Sequence, residues 1–306
     1  MAGTLVVTAS ISLLAATVAS AMHFTAWGSL QAVEPVGTNL VNTAAHDGCP
    51  IEPPDGLSLY IASNRAGTLG GLDIWVATRT STDAPWEAPE NLGAPVNSPA
   101  DEFCPTAVRG KGLFFVSRRP DVGHCGLGDI YFSRESPVHG WTQPQRLACA
   151  PAGPNSELDE QGPSYVEADG KALLYFSRSR APAQGTPVPG DIFVSETAGG
   201  DFGPATAVTE LNGADNDIQP NVRKDGLELV FSSNRAGGAG SQDIWASTRA
   251  SLEHAWLEPV NLGSNVNSAD SETRPSLTWD AKTLYVGITP PAGPPGDVYV
   301  STRERS

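Results

Sequence analysis

Apolar residues along this chain fall into short runs bounded by Gly, Pro, Ser or Asp. Short runs of branched and aromatic residues between turn-forming residues are typical of β-strands. Five runs are rich in Leu and aromatic residues: 57–61, 113–116, 173–176, 229–232 and 284–286. Five others open with Asp, followed by a branched and then an aromatic residue: 73–76, 129–132, 191–194, 243–246 and 297–300. The two sets alternate, which predicts an all-β structure.

A second pattern punctuates these runs: an Asn is followed five residues later by an acid and eight residues later by Pro. It occurs as Asn42/Asp47/Pro50, Asn97/Glu102/Pro105, Asn155/Glu160/Pro163, Asn212/Asp217/Pro220 and Asn267/Glu272/Pro275. The successive Asn residues are 55, 58, 57 and 55 positions apart. A fixed period indicates one supersecondary unit copied five times.

Each unit supplies about four strands. The segment after the shared Pro gives an inner strand, and the Leu-rich and Asp-led runs give the second and third. A fourth follows in most copies, where an aromatic residue precedes Pro and an aliphatic residue: Trp86/Pro89/Leu92, Trp141/Pro144/Leu147, Phe202/Pro204/Val208 and Trp256/Pro259/Leu262. Four antiparallel strands per repeat with no helical pattern form a propeller blade. We therefore expect one domain over residues 22–306, a five-bladed β-propeller.

The two ends of the chain complement each other. The fifth copy lacks a fourth strand, while Glu34-Pro35-Val36 precedes Asn42 much as Glu258-Pro259-Val260 precedes Asn267. We expect residues 26–41 to complete the blade that begins at Pro275, because this removes two exposed sheet edges. An open stack of five sheets is the alternative.

The net charge and the hydropathy of the chain limit its possible partners and its cellular location. The net charge of −15 disfavours nucleic acid and anionic lipid as partners. An uncharged apolar run over residues 5–18 ends at a small-residue cleavage site, which predicts a signal peptide over residues 1–21. A short buried element is the alternative reading of that run. No later segment is long enough to span a bilayer. We expect a periplasmic or secreted monomer.

Four cysteines, Cys49, Cys104, Cys125 and Cys149, fit an exported protein with disulfides. Cys49 and Cys104 hold the same repeat position, and Cys125 and Cys149 belong to one blade, which favours the Cys125–Cys149 pairing. A Cys49–Cys104 bridge is plausible near the propeller axis, where inner strands are close. Four buried free thiols remain the alternative. The spacings fit no zinc pattern, so no metal ligands are predicted.

The chain resembles the WD40-like, TolB-type propeller repeat. The resemblance rests on Ser63-Asn64-Arg65, Ser233-Asn234-Arg235, the Asp-led strands, and the Trp-x-x-Pro-x-x-Leu and Asn-x4-acid-x2-Pro segments over residues 26–303. It implies a β-propeller used mostly as a binding scaffold in the bacterial envelope or outside the cell. TolB-type proteins carry further domains, so the resemblance implies no particular partner.

Strand direction places the repeat acids, the Arg-bearing turns and the cysteines on one face, which we call the motif face. Its ligand-binding candidates are His46, Asp47, Asp101, Glu102, Arg118, His124, Asp159, Glu160, Arg178, Asp217 and Glu272. Structural roles are expected for Asp73, Asp129, Asp191, Asp243, Asp297, Arg65, Arg119 and Arg235, because a short acid at a strand entry satisfies turn amides. Arg180 is a further candidate partner for the repeat acids. A calcium ion among those acids is a second interpretation of the ring.

Two classes of function fit these features. The first is a non-catalytic scaffold that presents the motif face to an envelope or extracellular protein, peptide or glycan, because no nucleophile motif or phosphate loop occurs. The second is a glycoside-processing enzyme, which needs two carboxylates near the axis. Asp101, Glu102, Asp159 and Glu160 are its first candidates. The sequence favours the scaffold, with no catalytic residues assigned.

Overall fold

The computed structural model describes residues 24–34, 38–110, 112–180, 185–292 and 295–306. Every regular element in these ranges is a β-strand. The predicted signal peptide lies outside them. Within the same ranges, no helix is long and apolar enough to cross a membrane.

The strands form five antiparallel sheets, one per repeat. The inner strands are Asp47–Ile51, Glu102–Val108, Asp159–Ala168, Asp217–Val222 and Ser271–Leu277. The second strands are Ser58–Ser63, Gly112–Ser117, Lys171–Arg180, Glu228–Ser233 and Thr283–Thr289. The third strands are Asp73–Thr78, Asp129–Ser136, Val188–Ala198, Asp243–Thr248 and Asp297–Thr302. The outer strands are Glu90–Asn91, Gln145–Arg146, Thr206–Ala207, Val260–Asn261 and Gln31–Ala32.

Two short additions, Gly140–Trp141 and Asp201–Phe202, extend the third strands of blades two and three. Inner strands of neighbouring blades contact one another all the way round, including the fifth with the first. The predicted five-bladed propeller is therefore confirmed, and its sheets surround a single axis.

The inner strands begin at the repeat acid or one residue before it, four or five residues earlier than the predicted start after the shared Pro. The reason is a β-bulge in each inner strand, centred on the residue two positions after the acid. That residue has a positive φ in every blade: Cys49, Cys104, Gly162, Gln219 and Arg274. A bulge interrupts the ladder, so the following Pro, which has no N–H to donate, can lie inside a strand.

The amino-terminal segment completes blade five, as predicted. Gln31 and Ala32 pair with Val300 and Tyr299, and the Gly28 amide donates to the Thr302 carbonyl at 2.9 Å. The outer strand, Gln31–Ala32, lies within the predicted residues 26–41 and upstream of Glu34-Pro35-Val36. Residues 35–37 are outside the described ranges, and Glu34 instead accepts the amides of residues 40–42.

Trp27 is the feature that ties this segment to the repeat. Arg303 lies 4.2 Å from its ring, as Arg79 lies 4.1 Å from Trp86 and Arg249 lies 4.2 Å from Trp256. Trp27 therefore takes the place of the outer-strand tryptophan that blade five lacks in its own repeat. Buried Arg303 also forms a bidentate ion pair with Glu228 of blade four, at 2.8 and 2.7 Å.

The repeat Asn joins each blade to the next. In blade one, Asn97 accepts the Ile74 amide and donates to the Ile74 carbonyl, both at 2.9 Å, and so pairs with the third strand as a further residue of the ladder would. The other internal pairs are Asn155 with Ile130, Asn212 with Ile192 and Asn267 with Ile244. Asn42 makes the same pair with Val298, at 2.8 and 2.9 Å, across the ends of the chain.

Apolar side chains fill the spaces between neighbouring blades. Blades three and four share a cluster around Phe231 and Leu229, and blades five and one share another around Leu59 and Tyr285. A fully buried side chain of this size contributes about 1.5–3 kcal/mol. Every blade buries its apolar side chains against its two neighbours. Closing the ring therefore supplies the interface between blades five and one.

The four cysteines form two disulfides, Cys49–Cys104 and Cys125–Cys149. The first joins the bulges of blades one and two at the axis, with Cα atoms 4.8 Å apart. It closes a loop over a separation of 55 residues, which corresponds to about 4 kcal/mol in the chain-entropy account. Disulfides persist in oxidising compartments, so both bridges fit an exported protein.

We predict that Asn42→Ala destabilises the protein as much as Asn267→Ala does. Each substitution leaves one amide and one carbonyl without partners, at a cost of about 1–3 kcal/mol. Chemical denaturation of both variants and of Thr80→Ala, an exposed control, measures the effect. If Asn42→Ala leaves the free energy of unfolding nearly unchanged while Asn267→Ala lowers it strongly, the contact between Asn42 and Val298 does not stabilise the closed ring.

Candidate functional site

The five repeat acids form a buried ring. Asp47, Glu102, Glu160, Asp217 and Glu272 are each 0% exposed. Each accepts hydrogen bonds from the residues four positions before it; Glu102, for example, accepts the Ser98 amide at 2.6 Å and the Ser98 hydroxyl at 2.7 Å. Glu102 also accepts the hydroxyl of Ser117 at 2.6 Å. These contacts hold the chain at the entry of each inner strand and keep the ring acids away from any surface ligand.

Arginine compensates four of the five ring acids. The pairs are Arg65 with Asp47, Arg119 with Glu102, Arg178 with Glu160 and Arg235 with Asp217. Each of these arginines also donates to a backbone carbonyl in the loop that enters its blade. Arg178, a predicted ligand-binding candidate, is therefore held by its ring acid and a backbone carbonyl. Arg180 instead pairs with the exposed Glu157. Blade five has no such arginine, as its Gly287-Ile288-Thr289 sequence indicates.

Burial changes the ionisation of the ring. It raises the pKa of Glu160 to about 8, although Ser156 and Arg178 act in the opposite direction. Burial also raises the pKa of Glu102 and of Glu272. In these three acids desolvation thus outweighs the hydrogen bonds from nearby serines, which act to lower the pKa.

The Asp residues that open the third strands organise turns. Asp73 accepts the Leu69 amide at 2.7 Å and the Asn91 side chain at 2.7 Å. Asp129 and Asp243 accept two turn amides each in the same way. Asp191 and Asp297 hold the corresponding positions in blades three and five, where burial raises the pKa of each.

The residues just before the ring acids reach the mouth of the axis on the motif face. Asp101 and Asp159 both contact Arg118, at 3.3 and 2.9 Å. The Asp101 side chain is 32% exposed and that of Asp159 is 5% exposed. Gln161 donates to Asp159 at 3.1 Å. One oxygen of Asp159 and the Nε of Arg118 are buried without a hydrogen-bond partner among the described residues. We call Asp101, Arg118, Asp159 and Gln161 the axial mouth.

A cleft of about 490 Å³ adjoins the axial mouth between blades two and three. Arg118, His124, Leu127, Glu157 and Arg180 contribute to its walls. The Cys125–Cys149 disulfide anchors the loop that carries His124. The structure thus brings three predicted candidates, Asp101, Arg118 and Asp159, into contact and places a fourth, His124, in the neighbouring cleft.

His46 and Arg274 complete the surroundings of the axis. His46 precedes the ring acid of blade one, and both burial and the charge of Arg274 lower its pKa. Sequence reasoning missed Arg274. Its repeat position, two residues after the acid, holds Cys, Cys, Gly and Gln in the other blades, so an alignment of that position shows it as the one cation.

The calcium ion considered for the ring stays a prediction. Calcium takes several oxygen ligands that converge on one point. Here the ring acids are engaged with hydroxyls and guanidinium groups, and a guanidinium lies at the axis, so these residues do not favour a cation. Among the described residues, no group of three or more His, Cys, Asp and Glu side chains could hold a metal ion.

No family model and no curated protein matches the sequence. Solved structures do match its fold. The alpha-L-arabinofuranosidase from Podospora anserina, solved in complex with cellotriose, has a TM-score of 0.54 and 14% identity, over 92% of this chain and 97% of that one. The endo-arabinase from Bacteroides thetaiotaomicron has a TM-score of 0.53 and 16% identity, over 89% and 97%. TolB from Acinetobacter baumannii has a TM-score of 0.47 and 13% identity, over 87% and 56%.

These matches correct the functional expectation. The scaffold interpretation came from the TolB-type repeat, which the structure supports only as far as the propeller fold. The structures that match over most of both chains are an arabinofuranosidase and an arabinase. They run against the expectation of a non-catalytic scaffold, and at 14% and 16% identity the likeness itself shows the fold.

Glu160 should make stability depend on pH. Its pKa is about 8 in the folded protein against an ordinary 4.5, so the folded state binds a proton more tightly across that interval. The resulting stabilisation is complete below the lower value and is lost as pH rises through the higher one. The melting temperature should therefore fall between about pH 4.5 and about pH 8. The melting temperature of Glu160→Gln, which cannot ionise, should fall less steeply over this range.

Thermal melts of the wild type and of Glu160→Gln across this pH range provide the measurement. Glu157→Gln is the matched control, because the Glu157 side chain is 84% exposed. Parallel pH profiles for Glu160→Gln and the wild type would contradict the assignment of the pH effect to Glu160.

Proposed function

We propose that the protein is an exported glycoside hydrolase whose reacting carboxylates are Asp101 and Asp159. The observation that carries the proposal is their shared contact with Arg118 at the axial mouth. The likeness to an arabinofuranosidase and an arabinase supports the choice of reaction class. The two disulfides support export to the periplasm or beyond the cell.

Geometry selects these two acids from the candidates. Glu102 and Glu160 are fully buried and hydrogen-bonded within their own blades, so a sugar cannot reach them. Asp101 and Asp159 instead contact a guanidinium that faces the cleft. Because one guanidinium separates them, their carboxyl groups lie within about 9 Å of each other, inside the ~5–9.5 Å range that glycosidases use.

The exposure of each acid suggests its role. Asp101 is open to solvent, so it can take a proton from the attacking water. Asp159 lies on the other side of Arg118, so we assign it as the acid that gives a proton to the glycosidic oxygen as the bond breaks. Arg118 orients both carboxyl groups, and Gln161 fixes the rotamer of Asp159. The cleft that Arg118 lines, at about 490 Å³, has room for sugar rings.

The substrate class follows from the same likeness. Arabinofuranosidase and arabinase activities both act on arabinose-containing glycans, so arabinan and arabinoxylan are the first substrates to test. The guanidinium between the carboxylates favours the wider spacing, at which water attacks directly and the anomeric configuration inverts.

We predict that Asp101→Asn and Asp159→Asn each reduce turnover by about 10²–10⁴-fold, the usual contribution of a general acid or base. Reducing-sugar release from arabinan, arabinoxylan and an aryl arabinofuranoside measures the activity. Asp83→Asn, at an exposed position between the third and outer strands of blade one, removes the same charge and should retain full activity. Failure of the wild type to release sugar from any of these substrates, or full activity in both variants, would refute the proposal.

A further inference from the structure

The five bulge residues point at the axis, and their differences define a small site. Cys49, Cys104, Gly162, Gln219 and Arg274 all line one cavity of about 30 Å³. The two cysteines are joined in a disulfide, and the Gln219 side-chain oxygen accepts the Arg274 amide at 3.2 Å. Gly162 leaves no space for a side chain, since a Cβ there would lie 2.7 Å from the Gln219 Cα. Arg274 is therefore the charged group of the cavity.

Arg274 has no counter-ion. The described part of the chain contains no ion pair for its guanidinium, and its Nη1 is buried without a hydrogen-bond partner. Burial and the nearby charge of Arg118 lower its pKa to about 10, which leaves it charged at neutral pH. A buried cation without an acceptor is costly, and this one occurs in a protein of net charge −15.

A second donor, on His46, lies close to Arg274. A Cβ atom on Gly48 would lie 3.3 Å from Nη1 of Arg274 and 3.5 Å from Nε2 of His46. His46 accepts the Gly296 amide at Nδ1, 3.3 Å away, so its neutral imidazole carries the hydrogen on Nε2. The absence of a side chain at Gly48 leaves the space between the Arg274 and His46 donors open. Arg118 is close enough for its charge to act on Arg274.

We propose that Arg274, with His46, forms an anion-binding site at the axis for a carboxylate-sized anion. A guanidinium binds a carboxylate through two parallel hydrogen bonds. A cavity of about 30 Å³ admits a group of that size and excludes a sugar ring. The anion comes either from a uronic acid in a glycan whose ring rests in the axial mouth, an interpretation that rests on the proposed function, or from a free small ion.

Isothermal titration of the purified protein with glucuronate, galacturonate, acetate and chloride tests the site, with glucose and galactose as uncharged counterparts. Arg274→Gln should weaken anion binding by roughly tenfold or more. Gly48→Ala should weaken it while keeping every charge, because the added methyl group fills the space between the donors. Arg134→Gln, an exposed arginine with the same charge change, should bind as the wild type does.

Each possible result either identifies the source of the anion or shows that the proposed site does not bind one. Uronate binding that exceeds acetate binding and depends on Arg274 supports the site and assigns it to an acidic glycan. Acetate or chloride binding that depends on Arg274, without uronate binding, supports the site and assigns it to a free ion. No anion binding, or equal binding in the wild type and Arg274→Gln with both folded by circular dichroism, overturns it. The readout is binding, so lack of hydrolysis by the wild type refutes the proposed function and leaves this result standing.

Discussion

The pairing of a side-chain amide with the backbone of the preceding blade is the constraint on which this propeller depends. Five Asn residues make it, and each lies between an outer strand and the next inner strand. The amide supplies one donor and one acceptor, so it satisfies a strand edge that a loop would otherwise leave without partners. At Asn42 the same contact joins the two ends of the chain, and Trp27 and Arg303 reinforce it.

The side chains that repeat in every blade stabilise the fold. We therefore look for function in the side chains that differ between blades. The ring acids are engaged with Ser, Thr or Gly amides and with arginine. One position earlier, blades two and three carry Asp101 and Asp159. Asp101 accepts the Leu72 amide of blade one at 3.0 Å, as Asn216 and His46 accept amides of their own neighbouring blades. Two positions later, the bulge points a side chain at the axis, and only blade five places a cation there. The symmetric propeller therefore has an axial mouth whose residues differ from blade to blade.

Much of the fold could be predicted from the sequence because the repeat is visible at fixed spacing. The closing segment was predicted too, but its register was not, since Pro35 resembles Pro259 whereas the pairing follows Trp27 and Ala32. The role of the Asn amide and the site at Arg274 escaped sequence reasoning for a different reason. Both depend on which backbone lies opposite a side chain, and a bulge that turns Arg274 towards the axis leaves no mark in the pattern of polar and apolar residues.

Hydrogen exchange at five backbone amides tests the closed ring most directly. The amides of Ile74, Ile130, Ile192, Ile244 and Val298 each donate to a repeat Asn, at 2.9, 2.8, 2.7, 2.7 and 2.8 Å. If the ring opens only by global unfolding, Val298 exchanges with the same opening free energy as the other four. Fast exchange at Val298, with the other four protected, would show that the first and last blades separate in the native state and would contradict closure through Asn42.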